Sequence, residues 1–309
     1  MPRQKLITVL GPTASGKTEL GILLAKKFHT SVISGDAFQV YKHMNIGTAK
    51  VTKDESGGVP HYLVDILEPG EAYSAADFQK RAAQIIRKEN DAGRIPILVG
   101  GTGLYIQGLL EGYTFLPKGN ASDTWNRIYR QEGMEGLIRA WHTFSDPRGM
   151  PADPQRMIRR LSLLEAGAGK AVPKKKERLV YDGPVIGISM TRDKLYDKIN
   201  KRVHQMIDAG LEDEVRKLLQ FGLPETAGSL KGIGYREMIP VIKQEQSLEE
   251  AERLIARNTR RFAKRQLTWY RRMPYIHWIE RGDLPNGSWL RETEAYVTRY
   301  FRGEENHGR

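Results

Sequence analysis

The chain has 309 residues and a formal net charge of +12 at pH 7, and 39% of its residues are hydrophobic. This length and apolar content support one large core or two smaller ones, and the charge favours a polyanionic partner such as RNA, DNA or an anionic lipid surface. The chain contains no cysteine, which excludes disulfides and cysteine-ligated zinc.

Apolar runs give the predicted strands. The first run, LITVLG at 6–11, and every later one are too short for a signal peptide or a membrane-spanning helix, so we expect a cytoplasmic protein. The later runs are SVISGD (31–36), HYLVDIL (61–67), IPILVGG (95–101) and PVIGISM (184–190). Their apolar residues do not alternate with polar ones, which is typical of strands buried on both faces. The sequence thus predicts an α/β fold with a mainly parallel sheet flanked by helices.

Helical patterns separate the predicted strands. Ser74 and Ser247 each precede a helical stripe and have an acidic residue three positions later, the pattern of a capping box. A third stripe begins at Leu195 and is interrupted at 209–210.

One segment, from 117 to 182, differs from the rest. It is polar, carries scattered Trp and Tyr, and contains the basic run KKKER at 174–178. We predict a mostly helical insertion domain over 117–182 that contacts RNA, and an α/β core formed by 1–116 and 183–309.

The stretch GPTASGKT lies between the first predicted strand and a helical segment, and it matches the phosphate-loop pattern G-x-x-x-x-G-K-[ST]. A strand-to-helix turn of this kind directs several backbone N–H groups and the helix dipole at one anion. We expect Lys17 to bridge phosphate oxygens and Thr18 to ligate Mg²⁺. The competing interpretation is a glycine-rich turn that only closes a βα unit. The predicted phosphate-binding residues are Gly11, Pro12, Thr13, Ala14, Ser15, Gly16, Lys17 and Thr18.

Polar residues also stand at or after the ends of other predicted strands. They are Asp36, Asp65 and Thr102. Because ligands of an open parallel sheet lie beyond the carboxyl ends of its strands, we expect Lys17, Asp36 and Thr102 to converge on one cleft. Asp36 also suits a helix N-cap or an Asx turn, and Thr102 suits an N-cap. Asp65 suits either a magnesium ligand or a buried structural role.

Three classes of function are compatible with these motifs. The sequence lacks the N-K-x-D base-reading motif of a GTPase and the strand ending in Asp-Glu that is usual in a motor-type ATPase. A group-transfer enzyme, a P-loop kinase of a nucleotide or small metabolite, and a non-enzymatic RNA-binding protein with a regulatory nucleotide site stay open at this point.

The order of several sequence blocks resembles the tRNA dimethylallyltransferases, also called tRNA isopentenyltransferases, of bacterial type. The resemblance runs from about residue 4 to about residue 280. The blocks are GPTASGKT, ISGDAFQVYKHMNIGTAK, PHYLVDILEPGEAYSAADF, PILVGGTGLYIQGLLEG, DPQRMIRRLSLLE, INKRVHQMIDAGLEDEV, KGIGYREM and TRRFAKRQLTWYR.

The resemblance implies a P-loop NTPase-like fold and an enzyme that transfers the dimethylallyl group of dimethylallyl diphosphate to N6 of the adenosine immediately 3′ of the tRNA anticodon. It implies that Lys17, Mg²⁺ and Thr18 stabilise the leaving diphosphate. It also implies that Asp36 accepts the N6 proton, that Thr102 orients the amine or the adjacent phosphate, and that Arg202 contacts the diphosphate. The implied catalytic residues are Asp36, Thr102, Lys17 and Arg202.

The resemblance also implies the tRNA contacts of a monomeric enzyme. A basic helix at 253–272 is expected to follow the phosphate backbone, and core packing is the alternative for Phe38. Ala37 stands where the family usually has Ser, and RRLSLLE from Arg159 replaces the usual RALE. The implied tRNA-binding residues are Asp36, Ala37, Phe38, Gln39, Thr102, Arg127, Gln155, Arg156, Met157, Ile158, Arg159, Lys231, Gly232, Ile233, Gly234, Tyr235 and Arg236.

Overall fold

The computed structural model of the chain describes residues 3–115, 122–144, 146, 149–167, 178–281 and 287–303. The strands of these residues are β1 (Ile7–Leu10), β2 (Val32–Gly35), β3 (His61–Tyr62), β4 (Ile97–Gly100), β5 (Val185–Ser189) and β6 (His277–Glu280). Their α-helices are α1 (Lys17–Lys27), α2 (Lys53–Ser56), α3 (Ala75–Asp91), α4 (Gly103–Leu110), α5 (Ser122–Trp141), α6 (Pro154–Glu165), α7 (Arg192–Asp208), α8 (Leu211–Gln220), α9 (Tyr235–Ile242), α10 (Leu248–Tyr270) and α11 (Ser288–Arg302). Within the described ranges, no helix is both long enough and apolar enough to cross a membrane.

The strands of the described residues form one sheet in the order β3-β2-β4-β1-β5-β6, and neighbouring strands pair in parallel. The predicted α/β class is therefore confirmed. In the middle of the sheet, Val9 of β1 pairs with Val99 of β4 on one side and with Ile186 of β5 on the other. All residues of β1, β2 and β4 are buried, as their unbroken apolar runs predict.

Two parts of the strand prediction were wrong. The run 61–67 gives only the short β3, because Leu63 and Asp65 adopt positive φ angles of 63° and 54°. That left-handed conformation is incompatible with a strand. β6 was not predicted, since Ile279 is the one buried residue of its four and the apolar run that marks the other strands is missing.

Helices cover both faces of the sheet, and successive strand residues face opposite sides. Leu10 and Leu98 belong to the core that includes α3 and α4. Val9 and Val99 belong to the core that includes α1 and α11. Burial of each such side chain stabilises the fold by about 1.5–3 kcal/mol relative to its exposure. A shift of one residue in strand pairing would move these side chains to the other face, so their burial fixes the register of the sheet.

The predicted helix starts and the predicted break are confirmed. At α3 the Ser74 side chain accepts a hydrogen bond from Asp77 N, and the Asp77 carboxylate accepts one from Ser74 N, which completes the capping box. At α10 the Ser247 side chain accepts from Glu250 N. α7 and α8 are separated at Gly210, whose φ of 90° ends the helical path.

The chain divides into two compact units, one formed by Met1–Glu111 with Glu177–Arg309 and the other by Gly112–Lys176. The sequence predicted boundaries at 117 and 182. The first lies five residues after the start of the smaller unit, and the second lies six residues after its end. Within the smaller unit α5 and α6 pack around a core of Trp125, Leu137, Trp141, Met157, Ile158 and Leu161. A role of this unit in tRNA binding stays a prediction.

Replacing Phe78 by Ala tests the core under the sheet. Phe78 of α3 is fully buried and stacks on Tyr105 of α4, with ring centroids 4.9 Å apart. We expect Phe78→Ala to lower the free energy of unfolding, measured by urea denaturation, by about 3–5 kcal/mol because a cavity replaces packed surface. Phe221→Ala is the matched control at a residue that is 81% exposed, and its effect should stay below about 0.5 kcal/mol. Equal losses in the two variants would contradict this packing.

Candidate active site

The phosphate loop connects β1 to α1 and contains two residues in the left-handed region. Ala14 and Gly16 have φ angles of 62° and 92°, and Ser15 N donates to Pro12 O at 3.3 Å. A Cβ at Gly16 would force the Arg281 guanidinium to move, and the left-handed φ angle by itself disfavours any other residue at this position. The turn places the amino end of α1 at the carboxyl end of β1, an arrangement that favours a bound anion.

Lys17, the first residue of α1, is partly buried in this loop. Its ammonium donates to Pro12 O at 3.3 Å. Desolvation, followed by the nearby Arg202 guanidinium, lowers the pKa of Lys17 to about 8, against a smaller opposing effect of Asp36. Desolvation also lowers the pKa of Arg202, with Asp36 and Glu55 acting in the opposite direction. Two cations held together with little solvent favour an anionic ligand, because its charge relieves their repulsion.

A small cavity of about 60 Å³ brings together residues that the sequence places far apart. Lys17 and Thr18 of α1, Asp36 after β2 and Arg202 of α7 all line it. Of the three residues predicted to converge on one cleft, Lys17 and Asp36 line this cavity, whereas Thr102 is not among its lining residues. A phosphate-binding loop and a carboxylate therefore face the same space.

Asp36 forms an Asx turn and lines the cavity at the same time. Its Oδ1 accepts hydrogen bonds from Phe38 N at 2.8 Å and from Gln39 N at 3.3 Å. Both bonds use one oxygen, which leaves Oδ2 as the oxygen that can accept a proton. Thr102 does not use its hydroxyl to cap α4. Instead, Thr102 Oγ1 accepts from Ala37 N at 3.1 Å and so fixes the backbone beside Asp36.

The side chains of Phe38 and Gln39 are held by the protein itself. Gln39 Oε1 accepts from Ser34 Oγ at 2.8 Å, and its Nε2 donates to Thr48 O at 3.3 Å. Phe38 packs into the helical core, and a Cβ at Gly232 would lie 3.3 Å from its ring. Phe38 is partly buried and packs against this core, as the alternative interpretation expects, and a base that contacts the Gln39 amide would have to share or replace the hydrogen bonds that the amide already makes.

A larger cleft of about 970 Å³ shares Lys17, Thr18 and Arg202 with the small cavity. Cations outnumber acids on its wall, which carries Lys17, Lys50, Lys198, Lys201, Arg202 and Arg281 against Glu19 and Glu55. The same wall includes the apolar side chains of Ile22, Leu23, Ile46, Val51 and Met206. A cleft of this composition suits an anion joined to a small apolar group.

Arg281 is a site residue that the sequence did not reveal. Directly after β6, its Nη1 donates to Ser15 O at 3.2 Å, and its guanidinium pairs with Glu19 at 2.9 Å. The guanidinium also lies over the Trp289 ring, 4.8 Å from the centroid. The rule that found Asp36, a polar residue directly after a strand, also applies to Arg281 once β6 is recognised.

The basic helix α10 has one face on the site and one face in solvent. Gln266 and Tyr270 both donate to Gly101 O, at 2.8 and 2.7 Å. Tyr270 is therefore part of the core, whereas Phe262 lies under the Arg265 guanidinium, 5.7 Å from it. The helix ends at Tyr270 and not at 272. The exposed cations of α10 and the two residues after it are Arg253, Arg257, Arg261, Lys264, Arg265, Arg271 and Arg272.

The predicted RNA-contacting segment 231–236 presents only part of its side chains at the surface. Lys231 and Arg236 are exposed. Tyr235 is buried, and its hydroxyl donates to Glu214 Oε1 at 2.7 Å. Gly234 has a φ of 99°, so it serves a left-handed turn at the start of α9. The Tyr235 side chain thus supports the core, and phosphate contacts by the exposed Lys231 and Arg236 stay a prediction.

The smaller unit contains the other predicted contacts. Of the segment 155–159, Met157 and Ile158 are buried in the core of this unit, so their side chains are not presented to RNA. Residues 174–177 of the basic run lie outside the described residues. The predicted contacts of this unit at the surface are Arg127, Gln155 and Arg156, with Arg159 half-buried.

Asp65 is neither buried nor part of the cavity that holds Asp36. Because the chain turns after β3, Asp65 lies on the surface, where its Oδ1 accepts from Lys50 Nζ at 2.5 Å. Lys50 Nζ also donates to Tyr41 O at 2.7 Å and to Asn45 Oδ1 at 2.9 Å. Asp65 therefore anchors the loop that forms one wall of the larger cleft.

The residues fit Mg²⁺ bound jointly with phosphate oxygens. Mg²⁺ commonly uses one or two protein oxygens together with substrate phosphates and water. Thr18, which lines the cavity beside Lys17, supplies a hydroxyl oxygen for such an ion, and the buried Ser15 Oγ in the loop lacks a hydrogen-bond partner in the structure. The part of the chain that the structure describes contains no group of three or more His, Cys, Asp or Glu able to hold a metal without such a substrate.

Comparisons with known proteins show which family the chain resembles. A sequence model described as IPP transferase matches residues 39–273. Two curated relatives named tRNA dimethylallyltransferase, from Bacillus anthracis and Bacillus cereus (strain 03BB102), are each 39% identical to this chain and cover 98% of it. The aligned regions span 97% and 96% of those relatives.

Solved structures show the same similarity. A tRNA isopentenylpyrophosphate transferase from Bacillus halodurans has a TM-score of 0.76 and 36% identity, over 97% of this chain and 98% of that one. A tRNA delta(2)-isopentenylpyrophosphate transferase from Staphylococcus epidermidis has a TM-score of 0.71 and 36% identity, over 98% of this chain and 100% of that one. A eukaryotic dimethylallyltransferase shares the fold, with a TM-score of 0.76 at 23% identity over 99% of this chain and 81% of that one.

Pyrophosphate binding should depend on the protonation of Lys17. The ammonium loses its proton as the pH rises through about 8, and the loop then loses a positive charge. We expect the affinity for inorganic pyrophosphate, measured by calorimetry, to fall through this range. Binding near that pH should take up a proton, because the bound anion raises the pKa of Lys17 again.

Lys17→Met is the control for this measurement. It should bind pyrophosphate more weakly and lose the part of the pH dependence that belongs to Lys17, leaving only the titration of pyrophosphate itself. The same pH dependence in both proteins would contradict the assignment.

Proposed function

The chain belongs to the IPP transferase family, and we propose that it transfers the dimethylallyl group of dimethylallyl diphosphate to N6 of the adenosine immediately 3′ of the tRNA anticodon. The bond between the allyl C1 and its bridging oxygen breaks, and a bond between C1 and N6 forms. One N6 proton leaves the amine, diphosphate is released, and no phosphoryl group moves. Curated relatives of this name, at 39% identity over nearly the whole chain, favour this reaction over a P-loop kinase.

The observation that carries the proposal is the small cavity shared by the phosphate loop and Asp36. A transferase of this kind must hold a leaving diphosphate and a proton acceptor on opposite sides of one carbon. Lys17, Thr18 and Arg202 supply the first requirement and Asp36 supplies the second. The adjoining cleft, cationic with an apolar wall, suits a diphosphate that carries a small alkyl group.

The leaving group is the part of the reaction that the phosphate loop serves. As the C–O bond breaks, negative charge grows on the diphosphate oxygens. Lys17, Arg202 and the amino end of α1 stabilise that charge in a site with little water, where such stabilisation is strongest. Mg²⁺, held through Thr18 and the phosphates, would neutralise part of the same charge.

Asp36 and Thr102 act on the other reactant, the N6 amine of the adenosine. An adenine amine is a weak nucleophile, and removal of its proton as the new bond forms makes the attack easier. Phe38 N and Gln39 N hold Oδ1 of Asp36, so Oδ2 is the oxygen assigned to the N6 proton. Thr102 fixes the backbone at Ala37 and keeps the carboxylate beside the cavity.

The RNA must reach this cavity with its target base out of the stack, as enzymes that act on a nucleobase require. The exposed cations after β5 that we propose for the phosphate backbone include Lys231, Arg236 and the basic face of α10. Binding should weaken with salt, because each neutralised phosphate releases counterions. We also propose a monomeric enzyme of the cytoplasm.

A transfer assay tests the function directly. We expect the protein to move radiolabel from dimethylallyl diphosphate to adenosine of unmodified tRNA in the presence of Mg²⁺, as read after digestion of the RNA. Asp36→Asn should lower kcat by roughly 10²- to 10⁴-fold, the usual contribution of a general base, and leave the Kd for tRNA unchanged.

The matched control is Asp91→Asn at an exposed position at the end of α3, which should keep the activity of the original chain. Binding of tRNA without any transfer of label would contradict the proposed function. Equal losses of turnover and tRNA affinity in Asp36→Asn would assign Asp36 to binding instead of proton transfer.

A further inference from the structure

We propose that Gln266 is a positioning residue that connects the phosphate loop to the loop carrying Thr102. It thereby keeps the dimethylallyl diphosphate and the acceptor adenosine correctly placed relative to each other. The identity of both substrates rests on the proposed function. Gln266 lies on α10, and its buried side chain stands in the same stripe as Ala263 and Tyr270. A polar residue in a buried stripe needs hydrogen-bond partners, and those partners are the two loops of the site.

The Gln266 amide joins the backbones of these loops with both of its ends. Its Oε1 accepts from Thr13 N at 2.9 Å, and its Nε2 donates to Gly101 O at 2.8 Å. The side chain is 5% exposed, so water cannot easily replace either partner. The loops follow β1 and β4, which are neighbours in the sheet, and the amide closes the gap between them beyond the strand ends.

The two hydrogen bonds have unequal importance for the two loops. Gly101 O also accepts from the Tyr270 hydroxyl at 2.7 Å, so it keeps a partner if the amide is removed. Thr13 N would lose the acceptor that Gln266 provides. Because Thr13 N already donates to Gln266, it is not among the amides of the phosphate loop that are free to bind a diphosphate. Loss of Gln266 should therefore be felt first in donor binding.

Gln266 also lies close to the Lys17 ammonium. A Cβ at Gly101 would be 2.5 Å from Gln266 Nε2 and 3.7 Å from Lys17 Nζ, so the amide and the ammonium both lie next to Gly101. A carboxylate in place of the amide would keep the size of the side chain and bring a negative charge to the phosphate loop. That charge would compete with the diphosphate for Lys17.

Calorimetry with inorganic pyrophosphate and Mg²⁺, together with steady-state kinetics, tests the assignment. We expect Gln266→Met, which removes both hydrogen bonds of the amide, to weaken pyrophosphate binding roughly fivefold. We expect Gln266→Glu, which can still accept from Thr13 N but brings a negative charge beside Lys17, to weaken it at least about tenfold. KM for dimethylallyl diphosphate should rise in parallel, while the Kd for unmodified tRNA stays within about twofold. Gln84→Glu makes the same change at an exposed position of α3 and should alter none of these values.

Each other result overturns the assignment. A purely structural role predicts a lower thermal midpoint with unchanged kinetic constants for the folded protein, and equal weakening of tRNA and pyrophosphate would point to a general defect. Gln266→Met carries no charge and serves if Gln266→Glu does not fold; failure of both to fold would make Gln266 a folding residue. If the original chain binds pyrophosphate but transfers no dimethylallyl group, the proposed function fails while the pyrophosphate comparison still tests Gln266.

Discussion

Two partly buried cations, Lys17 and Arg202, are held beside one carboxylate, and the rest of the site depends on this arrangement. Desolvation and mutual repulsion lower the pKa of Lys17 to about 8, and Asp36 only partly offsets them. A diphosphate bound at this site would offset the repulsion between the two cations. The attraction between these cations and the diphosphate increases as the leaving group becomes more negative. The groups that bind the diphosphate therefore also accelerate the reaction.

The parallel sheet explains why these groups meet. β1, β2 and β4 end at one edge, so the phosphate loop, Asp36 and Thr102 are brought together by strand order alone. Helices complete the arrangement: α7 supplies Arg202, and α10 supplies Gln266 while turning its basic side to solvent. α10 thus connects the chemistry inside the cleft to the charged surface that we propose for RNA.

Much of the fold followed from local patterns, because strands buried on both faces and capped helices leave clear signals. The phosphate loop and Asp36 were predicted for the same reason, since each stands directly after such a strand. β6 and Arg281 were missed because an edge strand with one buried residue has no apolar run. The partners of Gln39, Tyr235 and Gln266 depend on contacts between distant segments, and no single stretch of sequence encodes them.

The central claim is that the phosphate loop holds a leaving group and that a carbon–oxygen bond breaks. Dimethylallyl diphosphate with ¹⁸O in the bridging position between C1 and phosphorus tests this claim most directly, with tRNA as acceptor and mass spectrometry of the products. We expect all of the ¹⁸O to appear in the released pyrophosphate while the tRNA gains an unlabelled dimethylallyl group. Pyrophosphate without the isotope, with ¹⁸O retained on the allyl fragment, would show phosphorus–oxygen cleavage and contradict it.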